Sequence, residues 1–240
     1  MSEDRINRGA VWAVVPAAGS GSRMGTEVHK QFLMLQGKEL LARTLQVFQD
    51  ADLVEGVVLV CAPEDRMKME ALVSRWMLTK VKFIVTGGET RGISVKKGLE
   101  AVPNSCSAVL IHDGARPFVT PEMMERTVEA ALKFGGSLPV VPVKDTIKVA
   151  APDMTVRETP VRSTLFAAQT PQTFRFKEIL EAYRKAVSAG DKDCTDDSEI
   201  MEKYGTGRVR MVEGSYTNIK ITTPEDLLLA ERILLQGENE

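Results

Sequence analysis

Of the 31 lysines and arginines in this sequence, four stand where they could hold phosphate: Arg23, Lys30, Arg116 and Lys220. Arg23 lies within a glycine loop, Gly19-Ser-Gly-Ser-Arg-Met-Gly25, and Lys30 follows shortly after it. Glycines let a backbone come close to a ligand, and bare N–H groups in such a loop form a concavity that attracts anions. A guanidinium and an ammonium at the exit add fixed positive charge, so the stretch reads as a cradle for a polyphosphate. Its spacing, G-x-G-x-x-x-G, is one residue longer than the dinucleotide fingerprint, and no Gly-Lys-Ser/Thr completes a P-loop. The glycines by themselves would serve equally as a tight strand-to-helix turn; the two cations favour phosphate.

Asp113, in His112-Asp-Gly-Ala-Arg-Pro-Phe118, supplies a carboxylate. Such a group suits Mg²⁺, which is often held by one or two carboxylates together with phosphates; it would also cap the next turn. Arg116 offers a planar fork that matches phosphate oxygens, or a surface salt bridge. Lys220 stands between Ile219 and Ile221 in a stretch, 218–222, that reads as a strand, so its ammonium emerges on the face opposite theirs. Burying that charge is costly unless it meets an anion. Of the two histidines, His112 suits packing or support of the site, and His29 a solvated neighbour of Lys30.

Nothing suggests a Ser-His-Asp or Cys-His nucleophile or a glycosidase-type pair of acids. One reaction class needs neither. A phosphate monoester has a second pKa near 6 and is mostly dianionic at neutral pH, so it can attack a nucleotide's α-phosphorus without a general base. Catalysis then rests on positioning and on cations that meet the charge of the transition state.

The elements that must position these groups alternate. Strand-like runs at 11–15, 57–61, 81–85, 108–111 and 138–143 are separated by helical patterns at 38–50, from 63 to about 78, after Thr90, and from Pro121 to about 134. Thr90 and Thr120 read as N-caps. This order predicts βαβ units and a mainly parallel sheet with helices on both faces, a Rossmann-like α/β fold. Ligands of such sheets bind at the carboxyl ends of the strands, where the first loop, 87–91 and 112–117 all fall. The rhythm breaks at about 144–170. Two alternating runs, 145–149 and 155–159, flank Ala151-Pro-Asp153 and predict a β-arm with turn chemistry at its tip. It has too few apolar residues for its own core and should lean on the body or a second subunit, unless it is a mobile surface excursion. Beyond it come a helix at 174–189, a short helix opened by Thr195, a strand at 208–212, and a capping box, Thr223-Pro-Glu-Asp226, before the last helix.

The whole chain of 240 residues is long enough for one large domain or two small ones, and a single domain is expected. With 43% hydrophobic and 27% charged residues and a net charge of −2, it has the composition of a soluble globular protein with no footprint for nucleic acid or an anionic membrane. Three widely spaced cysteines form neither a disulfide framework nor a zinc pattern, which fits a reducing, cytoplasmic setting. No apolar stretch is long enough to span a bilayer, and the N-terminus lacks a signal core.

Five stretches taken together, Pro16-Ala-Ala-Gly-Ser-Gly-Ser-Arg-Met-Gly25, His112 to Phe118, Gln169-Thr-Pro-Gln172, Thr195-Asp-Asp197 and Asn218-Ile-Lys-Ile-Thr222, resemble the 2-C-methyl-D-erythritol 4-phosphate cytidylyltransferase family, in order and over nearly the whole chain. The first motif is shared with many sugar-nucleotide pyrophosphorylases; the set is specific. The resemblance implies transfer of CMP from CTP to methylerythritol phosphate, with Mg²⁺ and release of pyrophosphate, in non-mevalonate isoprenoid synthesis. It implies that Ala17, Ala18, Gly19, Gly21 and Ala115 help hold CTP, with Gly88 and Ser94 near its cytosine and ribose. Arg23 and Lys30 would stabilise the transition state, joined by Lys220 and Arg162. Asp113 would meet the metal and the substrate. Arg116, Thr146, Arg162, Thr170, Thr195 and Lys220 would hold the methylerythritol phosphate. Homodimers with crossed arms are implied, with Arg162 and Thr170 serving the neighbour's site. His29 stands where many family members have proline, so the backbone before Lys30 loses a constraint. No fused cyclodiphosphate-synthase segment is expected. The rival readings are a cytidylyltransferase for another polyol phosphate such as ribitol 5-phosphate, and a non-catalytic nucleotide-binding protein of the same fold. A nicotinamide dehydrogenase fits the glycine spacing least.

Overall fold

The computed structural model describes residues 9–19, 29–191 and 194–237. Strand β1 (Ala10–Pro16) buries five residues in succession, as a strand covered on both faces must. A small antiparallel ladder follows, β2 (Met34–Leu35) with β3 (Lys38–Glu39). The pattern at 38–50 therefore opens as strand, and the helix proper is α1 (Leu40–Asp50). The alternation continues through β4 (Gly56–Cys61), α2 (Arg66–Arg75), β5 (Val81–Thr86), α3 (Arg91–Glu100), β6 (Cys106–Ile111), α4 (Pro121–Phe134) and β7 (Gly135–Pro142). Thr90 accepts from the Ile93 N–H and Thr120 from the Met123 N–H, so both predicted caps form.

Strands β1, β4, β5 and β6 pair in parallel in the order β6-β1-β4-β5. Successive β1 side chains point to opposite faces and start two separate cores. Val11, Ala13 and Val15 pack with α1, α2 and α4. Trp12 and Val14 pack with α3 and two later helices, α5 (Phe176–Ser188) and α6 (Asp197–Tyr204). Helix α3 lies close on the sheet because Gly98 has no side chain: a Cβ there would sit 2.5 Å from Val14 Cγ1 and 2.8 Å from Val60 Cγ2.

The segment after β7 departs from the prediction in two places. The ladder β8 (Val149–Ala150) with β9 (Val156–Glu158) is shorter than the predicted runs, and its connection is tied by Asp153, whose Oδ1 accepts from the Thr155 N–H and hydroxyl. Then β10 (Phe166–Ala168) and β11 (Gln172–Arg175) return antiparallel to the main sheet, with β11 inserted between β6 and β7. Residues 172–175 thus form a strand where sequence periodicity starts a helix at 174. Phe174 is fully buried between two neighbours, and the helical stripe begins only at Phe176. Strand β12 (Arg208–Glu213) pairs in parallel with the far side of β7.

Residues 218–222 form no strand. They run as an irregular segment pinned by the Ile221 N–H donating to the Ala115 carbonyl at 2.9 Å. Helix α7 (Pro224–Gly237) starts at the predicted capping box, where Asp226 Oδ2 accepts from the N–H of Thr223 at 2.9 Å. Buried Leu35, Leu40, Ala115, Ile221 and Ala230 form a third core that fixes this C-terminal piece against the loop after β6.

Candidate active site

Three loops at the carboxyl ends of β1, β5 and β6 meet the 218–222 segment around a cleft of about 260 Å³. Backbone bonds bring the strand ends together: the Ala17 N–H donates to the Val60 carbonyl at 2.7 Å, Gly87 to Cys61 at 2.8 Å, and His112 to Val14 at 3.0 Å. Residues 16–19, Gln31, 88–91, Ser94, 113–115 and Lys220 line the cleft. Ala17, Ala18, Gly19, Gly88, Ser94, Asp113, Ala115 and Lys220, predicted from dispersed motifs, are thereby brought to one place. Ser94 is buried and its hydroxyl is engaged with Gly88, accepting from the N–H at 3.0 Å and donating to the carbonyl at 3.3 Å. Gly21, Arg23 and Gly25, and the side chain of Lys30, lie outside the described residues.

Asp113 is the centre of charge. Lys220 Nζ lies 2.9 Å from its Oδ2, Arg116 Nε 3.5 Å from the same oxygen, and Arg91 Nη2 3.8 Å from Oδ1. Burial of the carboxyl works to raise its pKa. Lys220, Arg91 and Arg116 outweigh burial and hold it far below the usual carboxylate range. Lys220 is the most accessible of the three cations, its side chain 38% exposed against 34% for Arg91 and 12% for Arg116. Arg116 also donates to the Asn218 carbonyl at 2.7 Å, so part of its guanidinium holds the site's own framework.

His112 carries no charge in this arrangement. Burial lowers its pKa to about 4. Its Nε2–H donates to the Arg116 carbonyl at 2.9 Å, which leaves Nδ1 to accept from the Thr170 hydroxyl at 3.0 Å. The Asp113 N–H in turn donates to Thr170 Oγ1 at 3.2 Å. This chain of bonds fixes the turn that presents Asp113 and Arg116, the supporting role expected of His112. The Thr170 side chain is buried under this chain's own Asp113. Asn218, fully buried, donates to the Thr170 carbonyl at 2.9 Å and locks the Lys220 segment onto the same turn.

Arg91 was not singled out from the sequence. It lies at the end of a loop already placed at the site, but nothing in the local sequence shows its partner. That partner is Asp197, fully buried and bidentate, with Nη1–Oδ1 at 2.8 Å and Nη2–Oδ2 at 2.7 Å; Tyr183 donates to the same carboxylate. Arg91 thus joins the Thr195-Asp-Asp197 stretch to Asp113. The N-cap of α6 is Asp196, not Thr195. Asp196 accepts from the Glu199 N–H, and Glu199 reaches back to the N–H and hydroxyl of Thr195 at 2.7 and 3.0 Å. The glutamines of Gln169-Thr-Pro-Gln172 are staples: Gln169 bonds both backbone groups of Ser215, and Gln172 bridges Asp196 and the Ser198 N–H. Thr146 and Arg162 lie on the exposed stretch around the β8–β9 ladder, with Arg162 donating to the Lys144 carbonyl at 3.1 Å.

His29 is more than a solvated neighbour of Lys30. Its Nδ1 lies 2.6 Å from the buried carboxylate of Asp65.

A mainly parallel α/β sheet with a charged cleft at its strand ends, built around one ionised aspartate and three cations, defines a nucleotide-binding protein of the Rossmann-like class. A family model described as IspD, 2-C-methyl-D-erythritol 4-phosphate cytidylyltransferase, matches residues 11–236. A protein of that name from Alkaliphilus oremlandii is 44% identical over 92% of this chain and 93% of its own length. One from Geobacillus kaustophilus is 47% identical over 92% of this chain and 96% of its own. The crystal structure of a 4-diphosphocytidyl-2C-methyl-D-erythritol synthase from Anaerococcus prevotii superposes with a TM-score of 0.84 at 32% identity, covering 98% of this chain and all of that one. The chain belongs to the 2-C-methyl-D-erythritol 4-phosphate cytidylyltransferase family.

Proposed function

We infer that the protein transfers CMP from CTP to 2-C-methyl-D-erythritol 4-phosphate, giving 4-diphosphocytidyl-2-C-methyl-D-erythritol and pyrophosphate. A phosphate oxygen of the acceptor attacks the α-phosphorus in line. The bond from that phosphorus to the bridging oxygen breaks, and pyrophosphate leaves with the electron pair. The observation that carries this reading is the cation cluster around Asp113 beside a cleft walled by backbone, with its one histidine buried, neutral and engaged at both ring nitrogens. No base is needed for a dianionic phosphate, and His112 is not placed to act as one.

In this scheme the loop containing Gly19 and Gly21 cradles the triphosphate, Arg23 and Lys30 meet the charge developing at the α-phosphorus, and Lys220 bridges nucleotide and acceptor. Asp113, Arg116, Thr170 and Thr195 shape the acceptor side, with Thr170 acting through the turn beneath Asp113. Asp113 also suits one protein ligand of Mg²⁺. It stays ionised, and among the described residues no cluster of three or more metal-ligating groups competes for the role. A metal held by one carboxylate and the nucleotide's phosphates matches the coordination habit of Mg²⁺. Bound there, Mg²⁺ would neutralise phosphate charge.

The exposed apolar side chains of the arm region, Val156, Val161 and Phe166, support a homodimer in which the arms cross. Thr146 and Arg162 would then act in the partner's site. No helix among the described residues is long and apolar enough to cross a membrane, and we place the enzyme in the cytoplasm. The test is pyrophosphate release from CTP and Mg²⁺, with 2-C-methyl-D-erythritol 4-phosphate and ribitol 5-phosphate competing at limiting CTP. Selective consumption of the methylerythritol phosphate is expected; no turnover, or preference for ribitol 5-phosphate, overturns the reading.

A further inference from the structure

The backbone on both sides of Lys30 is held by one buried carboxylate. Asp65 follows β4 in the 3-10 turn Pro63–Asp65, and its side chain is 1% exposed. Its Oδ2 accepts from His29 Nδ1 at 2.6 Å and from Gln31 Nε2 at 3.0 Å. Gln31 is itself buried and lines the cleft. The Phe32 N–H closes the turn by donating to the His29 carbonyl at 2.9 Å, and the Phe32 ring packs on the core beneath α1 and α2. Lys68 adds a cation 3.9 Å from the other carboxylate oxygen. Residues 29, 31 and 32 are therefore each anchored to the body, and residue 30 is the one between the anchors.

A buried carboxylate is costly unless its oxygens are matched by donors, so placing Asp65 here commits His29 and Gln31 to one geometry. A proton on His29 Nδ1 is required in either charge state, because the carboxylate only accepts.

We propose that Asp65 is a positioning residue for catalysis: by clamping His29 and Gln31 it fixes the backbone from which Lys30 acts and the cleft wall at Gln31. The proposal rests on the reading that Lys30 meets transition-state charge. Displacing a catalytic group by about 1 Å can cost on the order of a hundredfold in rate. Asp65→Leu is close in size and has no acceptor, so it removes both bonds, and is expected to lower kcat at least about tenfold while the KM for CTP changes less than about threefold.

The deciding experiment is a double-mutant cycle on kcat with Lys30→Ala, alongside thermal unfolding of each variant. If Asp65 acts by placing Lys30, Asp65→Leu has little further effect, under about twofold, once Lys30 is alanine. Additive losses, or an Asp65→Leu enzyme with normal kcat, overturn the proposal. A Lys30→Ala enzyme with normal kcat instead removes the underlying reading of Lys30. Should Asp65→Leu fail to fold, His29→Ala tests the same clamp from its partly exposed side, in the same cycle, with an expected loss of about threefold; no loss, or an additive one, overturns the proposal.

Discussion

Asp113 and His112 are adjacent residues with opposite electrostatic fates. Asp113 stays charged because Lys220, Arg91 and Arg116 surround it; His112 stays neutral because it is buried and both ring nitrogens already have partners. The second case has a measurable consequence. In the unfolded chain the imidazole titrates near 6.5, whereas in the folded protein its pKa is about 4. Between these values the unfolded state binds a proton that the native state does not, so stability falls as pH drops through that window and the loss levels off below it. The full contribution is about 3 kcal/mol. Urea unfolding should show stability dropping by about 2 kcal/mol between about pH 7.5 and about pH 5 from this residue. In His112→Gln the slope should flatten across that window, even if the variant is less stable throughout. An unchanged slope would mean the histidine is solvated.

At the scale of elements, the site is made of strand ends and of the pieces that tie them. Much of this is legible in the sequence: the buried strands, the Thr90 and Thr120 caps and the box at Thr223 each follow from local chemistry. Two features are not. Strand β11 has the composition of a helix start, and only its insertion between β6 and β7 makes it a strand. The segment around Lys220 alternates like a strand, yet the bond from Ile221 to Ala115, the Arg116 guanidinium on the Asn218 carbonyl and the side chain of Asn218 hold it instead. In the site, Asp113, Arg116 and Lys220 are readable from type and spacing. Arg91 is not, because its partner Asp197 is 106 positions away and only the packing of α3 beside α6 joins them. Asp197→Asn should leave that pair broken. Breaking a buried pair costs about 3–5 kcal/mol, and the partial exposure of Arg91 reduces this to about 2 kcal/mol. Thermal unfolding should record a drop of about 5 °C, together with weaker acceptor binding as the link from α6 to Asp113 is lost. An unchanged melting temperature would show that the pair contributes only local order.

For the whole molecule, the question is whether one chain completes its own site. The stretch carrying Thr146 and Arg162 is exposed and forms no hydrogen-bonded strand pair with the main sheet until β10. If arms cross in a two-fold dimer, a site combines the body of one chain with the arm of the other. Arg162→Ala and Lys220→Ala enzymes, each nearly inactive alone, should then complement when unfolded and refolded together. Random pairing puts both wild-type groups into one site of half the dimers, giving about a quarter of wild-type activity. No recovery above the separate variants would place Arg162 in its own chain's site or outside catalysis.

The central claim is that the acceptor's phosphate brings its own negative charge and the protein supplies only grip. The pH dependence of kcat tests it most directly. The prediction is a single rising limb near pH 6, following the second ionisation of the acceptor's phosphate, then a plateau, with the limb moving when an acceptor analogue of different phosphate pKa is used. A limb that ignores the acceptor's pKa, or one that vanishes in a folded His112→Gln variant, would reveal a protein base and contradict the account.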